Sequence, residues 1–125
     1  MLFKGYSKRF SLKNNDQYNT IGEYWDYFSD KYGLENLRGL GLNWENGSME
    51  YIIGLKDNSF IECDIEGAIY KEVFLPCFGW LVEVGKTLEL EEIYNKIYEV
   101  STLIYEIETF NLDGSCKIEF IRNVK

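Results

Sequence analysis

The segment Leu103-Ile104-Tyr105-Glu106-Ile107-Glu108-Thr109-Phe110 reads as a β-strand, yet two of its residues do not suit a core. Side chains along a strand alternate between faces. Glu106, Glu108 and Phe110 therefore share a side with Ile104, and Leu103, Tyr105 and Ile107 share the other. If helices cover the Leu103 side, both carboxylates point into an open trough. A carboxylate among apolar side chains is costly unless something pairs with it. A cationic ligand would pair with it; bulk water on an exposed sheet face would also satisfy it. Periodicity leaves both readings open.

The remaining chemistry is limited by what is absent. The chain has no histidine. That removes His-based acid–base catalysis, the Ser-His-Asp and Cys-His arrangements, and histidine metal ligands. Cys63, Cys77 and Cys116 are odd in number and widely spaced, so neither a disulfide framework nor a CxxC zinc site is present. Three reduced thiols in or near the core are expected, and no metal or cofactor. Thirteen basic residues against 21 acidic ones give a net charge of −8. That field repels a phosphate backbone, so direct nucleic-acid binding is not expected.

Aromatic residues are abundant: ten tyrosines, eight phenylalanines and three tryptophans. Part of these must be core. Buried tyrosines also need partners for their hydroxyls, and a wall of Tyr and Trp around a cavity uses them well. Ring faces and excess carboxylate both attract cations. The composition leans towards a pocket for a flat or cationic organic ligand, although an aromatic core beneath an acidic surface explains the same counts.

These residues must be held by a small frame. A chain of 125 residues is one domain, with no room for a separate DNA-binding module. Its apolar share of 46%, charged share of 27% and single proline describe a globular protein. No apolar run approaches the length of a membrane span, and a cytoplasmic location is expected.

Residues Leu2 to Leu12 read as a strand. Thr20-Ile21-Gly22-Glu23 has the form of a capping box. Ile21, Tyr24, Trp25, Phe28 and Tyr32 then mark one face of a helix closed by Gly33. Leu40, Leu42 and Trp44 alternate with small or polar residues, as do Tyr51, Ile53 and Leu55. Asn46-Gly47 between them is a hairpin signal. Lys56 to Ala68 reads as a connection. A strand-rich region follows from Ile69 to Val84, interrupted by Pro76 and Gly79. A helix from about Leu88 to Val100 carries Leu90, Ile93, Tyr94 and Ile97 on one stripe. Leu103 to Phe110 and Cys116 to Ile121 form a second hairpin about Asp113-Gly114. Strand, helix, hairpin thus occurs twice, over residues 1–57 and 69–125. The expected fold is α+β: two β-α-β-β units joined in one antiparallel sheet, both helices on one face and a ligand groove on the other.

The chain resembles the GyrI-like small-molecule-binding domains, which include stand-alone bacterial proteins and the effector-binding domains of AraC- and MerR-type multidrug regulators. The resemblance runs over nearly the whole length. Phe3-Lys4-Gly5 and Arg9-Phe10-Ser11 resemble the opening strand, and Glu23-Tyr24-Trp25-Asp26 the first helix with its tryptophan. Tyr51-Ile52-Ile53-Gly54-Leu55 resembles the Y-x-x-G-hydrophobic strand. Phe74-Leu75-Pro76, with Trp80 and Gly85 following, resembles the proline–tryptophan–glycine segment. Ile93-Tyr94 and Ile97-Tyr98 resemble the second helix. Glu106-Ile107-Glu108-Thr109-Phe110 resembles the E-x-Y strand with Phe in place of Tyr. Cys116 to Ile121 resembles the closing strand, with Arg122 where that strand usually reaches a proline.

The resemblance implies a central aromatic groove with Glu108 at its bottom. Trp80 and Tyr51 match positions that line it, followed by Phe110, Phe120 and Trp25. Each of these aromatics also suits a core. Three functions are consistent with the family. The first is a binding protein for a lipophilic, cationic or aromatic small molecule, anchored on Glu108. The second is a hydrolase of strained, cyclopropane-type electrophiles with Glu108 as general base. The third is an interaction protein acting on a topoisomerase or a regulator. Family membership does not choose among them, because function lives in the site.

Overall fold

A computed structural model describes residues 1–125. Seven strands build one antiparallel sheet: β1 (Leu2–Ser11), β2 (Leu37–Glu45), β3 (Ser48–Leu55), β4 (Ile69–Phe74), β5 (Leu81–Lys86), β6 (Ser101–Phe110) and β7 (Ser115–Val124). Two helices, α1 (Gln17–Tyr32) and α2 (Leu90–Val100), follow β1 and β5. The fold is α+β, as the alternation of strand and helix patterns predicts. Neither helix is long and apolar enough to cross a membrane.

The strand order is β4-β1-β3-β2-β6-β7-β5. Leaving β4 aside, the order reads β1-β3-β2 and then its counterpart reversed, β6-β7-β5. Two β-α-β-β units joined edge to edge through β2 and β6 give that order. The turn chemistry is local and legible. Asn46 and Gly47 both take positive φ, 50° and 73°, as the tight hairpin between β2 and β3 requires.

Both helices lie on the same face. Under α1, Tyr24, Trp25 and Phe28 pack onto Phe10, Met49, Tyr51 and Ile53. Under α2, Tyr94 and Ile97 pack onto Leu103, Ile118 and Phe120. Burying side chains of this size stabilises the fold by roughly 1.5–3 kcal/mol each. The opposite face is not open. Phe3, Leu40, Leu42, Ile52 and Ile107 form a separate cluster there, roofed by Leu75 and Trp80 from the segment joining β4 to β5.

Two local expectations change. α1 starts at Gln17, three residues before the Thr20–Glu23 box, and Thr20 sits inside it with its hydroxyl donating to Asp16 O. A short turn over Lys13–Asn15, with Asn14 and Asn15 at positive φ, leads the chain directly into the helix. Of the cysteines, Cys116 is buried and Cys63 half-buried, whereas Cys77 is exposed on the segment after β4 rather than in or near the core.

Candidate functional site

A groove of about 610 Å³ opens between α1 and α2, with β6 as its floor. That volume lies within the range of roughly 300–1,000 Å³ typical of small-molecule sites. The groove therefore sits on the helix face and not on the opposite face expected from strand alternation. The cause is a β-bulge. Leu103 pairs with Arg122 and Tyr105 with Ile121, so Ile104 is an extra residue with no partner on β7. Alternation breaks there. Leu103 packs beneath α2, Tyr105 packs on the far face, and Glu106, Glu108 and Phe110 rejoin the Leu103 side.

The floor is built from five residues on three neighbouring strands. Glu106 and Glu108 project from β6 and are 4% and 5% exposed. Across the ladder on β2 stand Gly41 opposite Glu106 and Gly39 opposite Glu108. Their missing side chains make the space. A β-carbon on Gly41 would lie 2.5 Å from Glu106 Oε1, and one on Gly39 would collide with the Tyr51 hydroxyl. Tyr51 arrives from β3 through that gap and is fully buried.

The two carboxylates are held differently. The Tyr51 hydroxyl donates to Glu108 Oε1, and the Tyr94 hydroxyl of α2 donates to Glu108 Oε2 at 2.8 Å. Tyr51 in turn accepts from Trp25 Nε1 at 2.9 Å, so α1, β3, β6 and α2 meet in one polar chain. Glu106 Oε2 is buried with no hydrogen-bond partner. Buried polar atoms are rarely left so, because the desolvation cost is then uncompensated.

Electrostatics follow from this arrangement. Burial raises the Glu106 carboxyl well above its usual range, and the neighbouring Glu108 charge adds to it, while a Tyr94 hydroxyl contact opposes. Burial also raises Glu108, but the hydroxyls of Tyr51 and Tyr94 pull it back. The surrounding phenols move up too. Burial pushes Tyr51 and Tyr94 well above the ordinary tyrosine value, and the carboxylates reinforce this. Tyr18, partly buried at the groove wall, is pushed up to about 12 by burial and then by Glu91. No cation offsets this field. Asp26 and Glu91 stand at the rim, and neither lysine nor arginine lines the groove.

The residues named from sequence separate into groups. Glu108, Trp25 and Phe110 line the groove, with the last two rings edge to face at 4.8 Å between centroids. Tyr51 belongs to the site as a buried hydrogen-bond donor beneath the floor, not as a stacking wall. Trp80 does not belong to it. It lies on the far face against Tyr105, with its indole N–H donating to Pro76 O. The chain's return over that face after Pro76 puts it there, while the bulge at Ile104 turns Glu106 and Glu108 to the other. Phe120 faces the helices but is sealed beneath α2 with Tyr94, Ile97 and Leu103, at 3% exposure.

Sequence reasoning did not single out Gly39, Gly41, Tyr94, Tyr18 or Met49 for the site. The Gly-Leu-Gly of β2 was the available signal for the first two, since two glycines on one face of a central strand mark close approach from the neighbour. No family profile and no curated protein sequence matches the chain.

Proposed function

We propose that this chain is a small-molecule-binding domain whose groove takes a lipophilic, aromatic cation, in the manner of the GyrI-like domains that its sequence resembles. One observation carries the reading. Four carboxyl groups, Asp26, Glu91, Glu106 and Glu108, line a groove with no basic residue, and Glu106 holds a buried oxygen without a partner. A cation supplies what that oxygen lacks.

The walls suit the rest of such a ligand. Trp25, Phe110, Tyr18, Tyr98 and Met49 give ring faces and a polarizable thioether. Each cation–π contact contributes roughly 0.5–2 kcal/mol, so a rimmed pocket with several rings reaches useful affinity where one ring would not. Three free cysteines and the absence of a spanning helix are compatible with the cytoplasmic setting expected from the sequence.

The test is calorimetric. A naphthylmethyl-dimethylammonium cation and its uncharged naphthyl alcohol analogue are titrated into the protein. The cation binds at least about tenfold more tightly, equivalent to roughly 1.4 kcal/mol. Equal affinities for the two would remove the electrostatic role of the groove.

A hydrolytic role is the second reading, and it moves from Glu108 to Glu106. Both Glu108 oxygens already accept tyrosine hydroxyls, which blunts that group as a base. The free oxygen of Glu106 is the one able to take a proton from water, at a pH high enough for Glu106 to have lost its own. Incubation with cyclopropane-type electrophiles and mass spectrometry of the products decides it.

A further inference from the structure

We infer that the groove takes a protonated amine or amidinium in exchange for a proton, with Glu106 as the residue that gives up the proton and then accepts the ligand's N–H. This deepens the cation-site reading and rests on it.

The geometry begins with spacing. Glu106 and Glu108 are two residues apart on one face of β6, so their Cα atoms are separated by roughly 7 Å and their carboxyl groups share one buried floor. Everything that faces Glu106 is neutral or negative. Gly41 faces it from β2, Tyr51 from β3 and Phe120 from β7. Tyr94 and Tyr98 face it from α2 and Tyr18 from α1, with Asp26 and Glu91 at the mouth. Two negative charges in such a place have nothing to offset them, so the empty floor keeps one proton.

The hydrogen bonds say where that proton resides. Two tyrosine hydroxyls donate to Glu108, one to each oxygen, and this stabilises the charged form there. Oε2 of Glu106 has no donor aimed at it. The floor therefore holds a Glu108 carboxylate and a Glu106 carboxylic acid.

A protonated amine entering the groove finds two buried oxygens free to accept an N–H, Gln17 Oε1 and Glu106 Oε2, and only that of Glu106 belongs to an ionisable group. Its positive charge then favours the ionised carboxyl. The step balances as follows: Glu106–COOH plus R₃N–H⁺ gives the Glu106–COO⁻···H–N⁺R₃ pair plus one H⁺ released to solvent. The O–H bond of Glu106 breaks, the ligand keeps its own proton, and the floor carries a net charge of minus one both when empty and with the ligand in place, the released proton balancing the ligand's charge. Burial raises both carboxyls, but the Tyr51 and Tyr94 hydroxyls pull Glu108 back while the Glu108 charge pushes Glu106 further up, in keeping with this division.

Titration of naphthylmethyl-dimethylammonium in two buffers of different ionisation enthalpy, phosphate and Tris, tests the exchange on the intact chain. From the ordinary carboxyl value of 4.5 up towards the raised Glu106 value, the wild-type affinity rises by up to about tenfold per pH unit. The difference in heat between buffers corresponds to about one proton released per ligand bound. Glu106→Gln abolishes the buffer difference and flattens the pH dependence. Buffer-independent heat and pH-independent affinity in the wild-type protein overturn the exchange while leaving the cation site intact. If the cation does not bind the wild-type protein at all, the cation-site reading fails and the exchange with it. The wild-type measurement needs no variant to fold.

Discussion

Gly41 and Glu106 face each other across the β2–β6 ladder, and the first has no side chain where the second needs room. A methyl group at Gly41 would come to 2.5 Å from Glu106 Oε1 and 2.8 Å from Met49 Cε. It would also come to 2.7 Å from Glu106 Cγ, so the whole Glu106 side chain has to swing aside, whereas Met49 yields only its terminal methyl. At Gly39 the neighbours are the rings of Tyr51 and Trp25, which are locked by their own hydrogen bonds.

The two glycines therefore respond differently to alanine. Gly41→Ala displaces the Glu106 carboxyl, costs about 1–3 kcal/mol of stability and weakens cation binding about tenfold or more. Gly39→Ala costs more, because Tyr51 cannot retreat without breaking its contact with Glu108. Urea unfolding midpoints and calorimetric affinities of the two variants check the order.

Stability of the ligand-free protein falls as pH rises. Folding lifts the Glu106 carboxyl above its ordinary value of 4.5, so the folded state binds more protons than the unfolded one through that region. Its contribution is fully present below about 4.5 and is lost as pH climbs through the raised value. Glu106→Gln removes the loss, so the variant gains on the wild type as pH climbs from 4.5 towards the raised value. Thermal unfolding across that span reads the gain. Glu50 acts with the opposite sign. Burial would raise it, but bonds from Lys71, Ser7 and Asn43 outweigh burial and lower it. Its share of stability is lost only in acid.

Tyr94→Phe leaves Glu108 Oε2 without a donor and costs about 1–3 kcal/mol at neutral pH. Tyr51→Phe costs more, because it strips Glu108 Oε1 and also leaves Trp25 Nε1 without an acceptor. The comparison is read from urea midpoints at one pH.

Trp80→Ala separates the two faces. Trp80 packs with Tyr105 on the side away from the groove. Its removal lowers stability by about 1–3 kcal/mol, less than for a fully buried tryptophan, and changes cation affinity less than twofold. Calorimetry and unfolding on the same sample check both halves.

The sequence reveals elements better than faces. Helix periodicity and the Asn46-Gly47 and Asp113-Gly114 turns locate the repeated strand, helix and hairpin, because these signals are local. The groove's side of the sheet was not legible, since it depends on one unpaired residue. Ile104 looks like any strand residue, and its bulge arises from how β6 meets β7. A single insertion in the ladder reverses every side chain beyond it. Glu108 was legible as a residue out of place. Its partners Tyr51 and Tyr94 come from elements 57 and 14 residues away, and no spacing rule links them to it. Trp80 was misassigned because the loop after Pro76 folds over the far face, and a tryptophan's type does not reveal which face it covers.

The chain has two methionines, and they sit in very different places. Met49 is 2% exposed and lines the groove beside Glu106, whereas Met1 is 43% exposed at the end of the sheet. A methyl-¹³C-methionine spectrum therefore carries one reporter inside the site and one outside it. On adding naphthylmethyl-dimethylammonium, the Met49 methyl resonance shifts with ring-current magnitude and saturates, and the Met1 resonance stays in place. A Met49 signal that does not move while the cation demonstrably binds would put the site elsewhere and contradict the assignment of this groove.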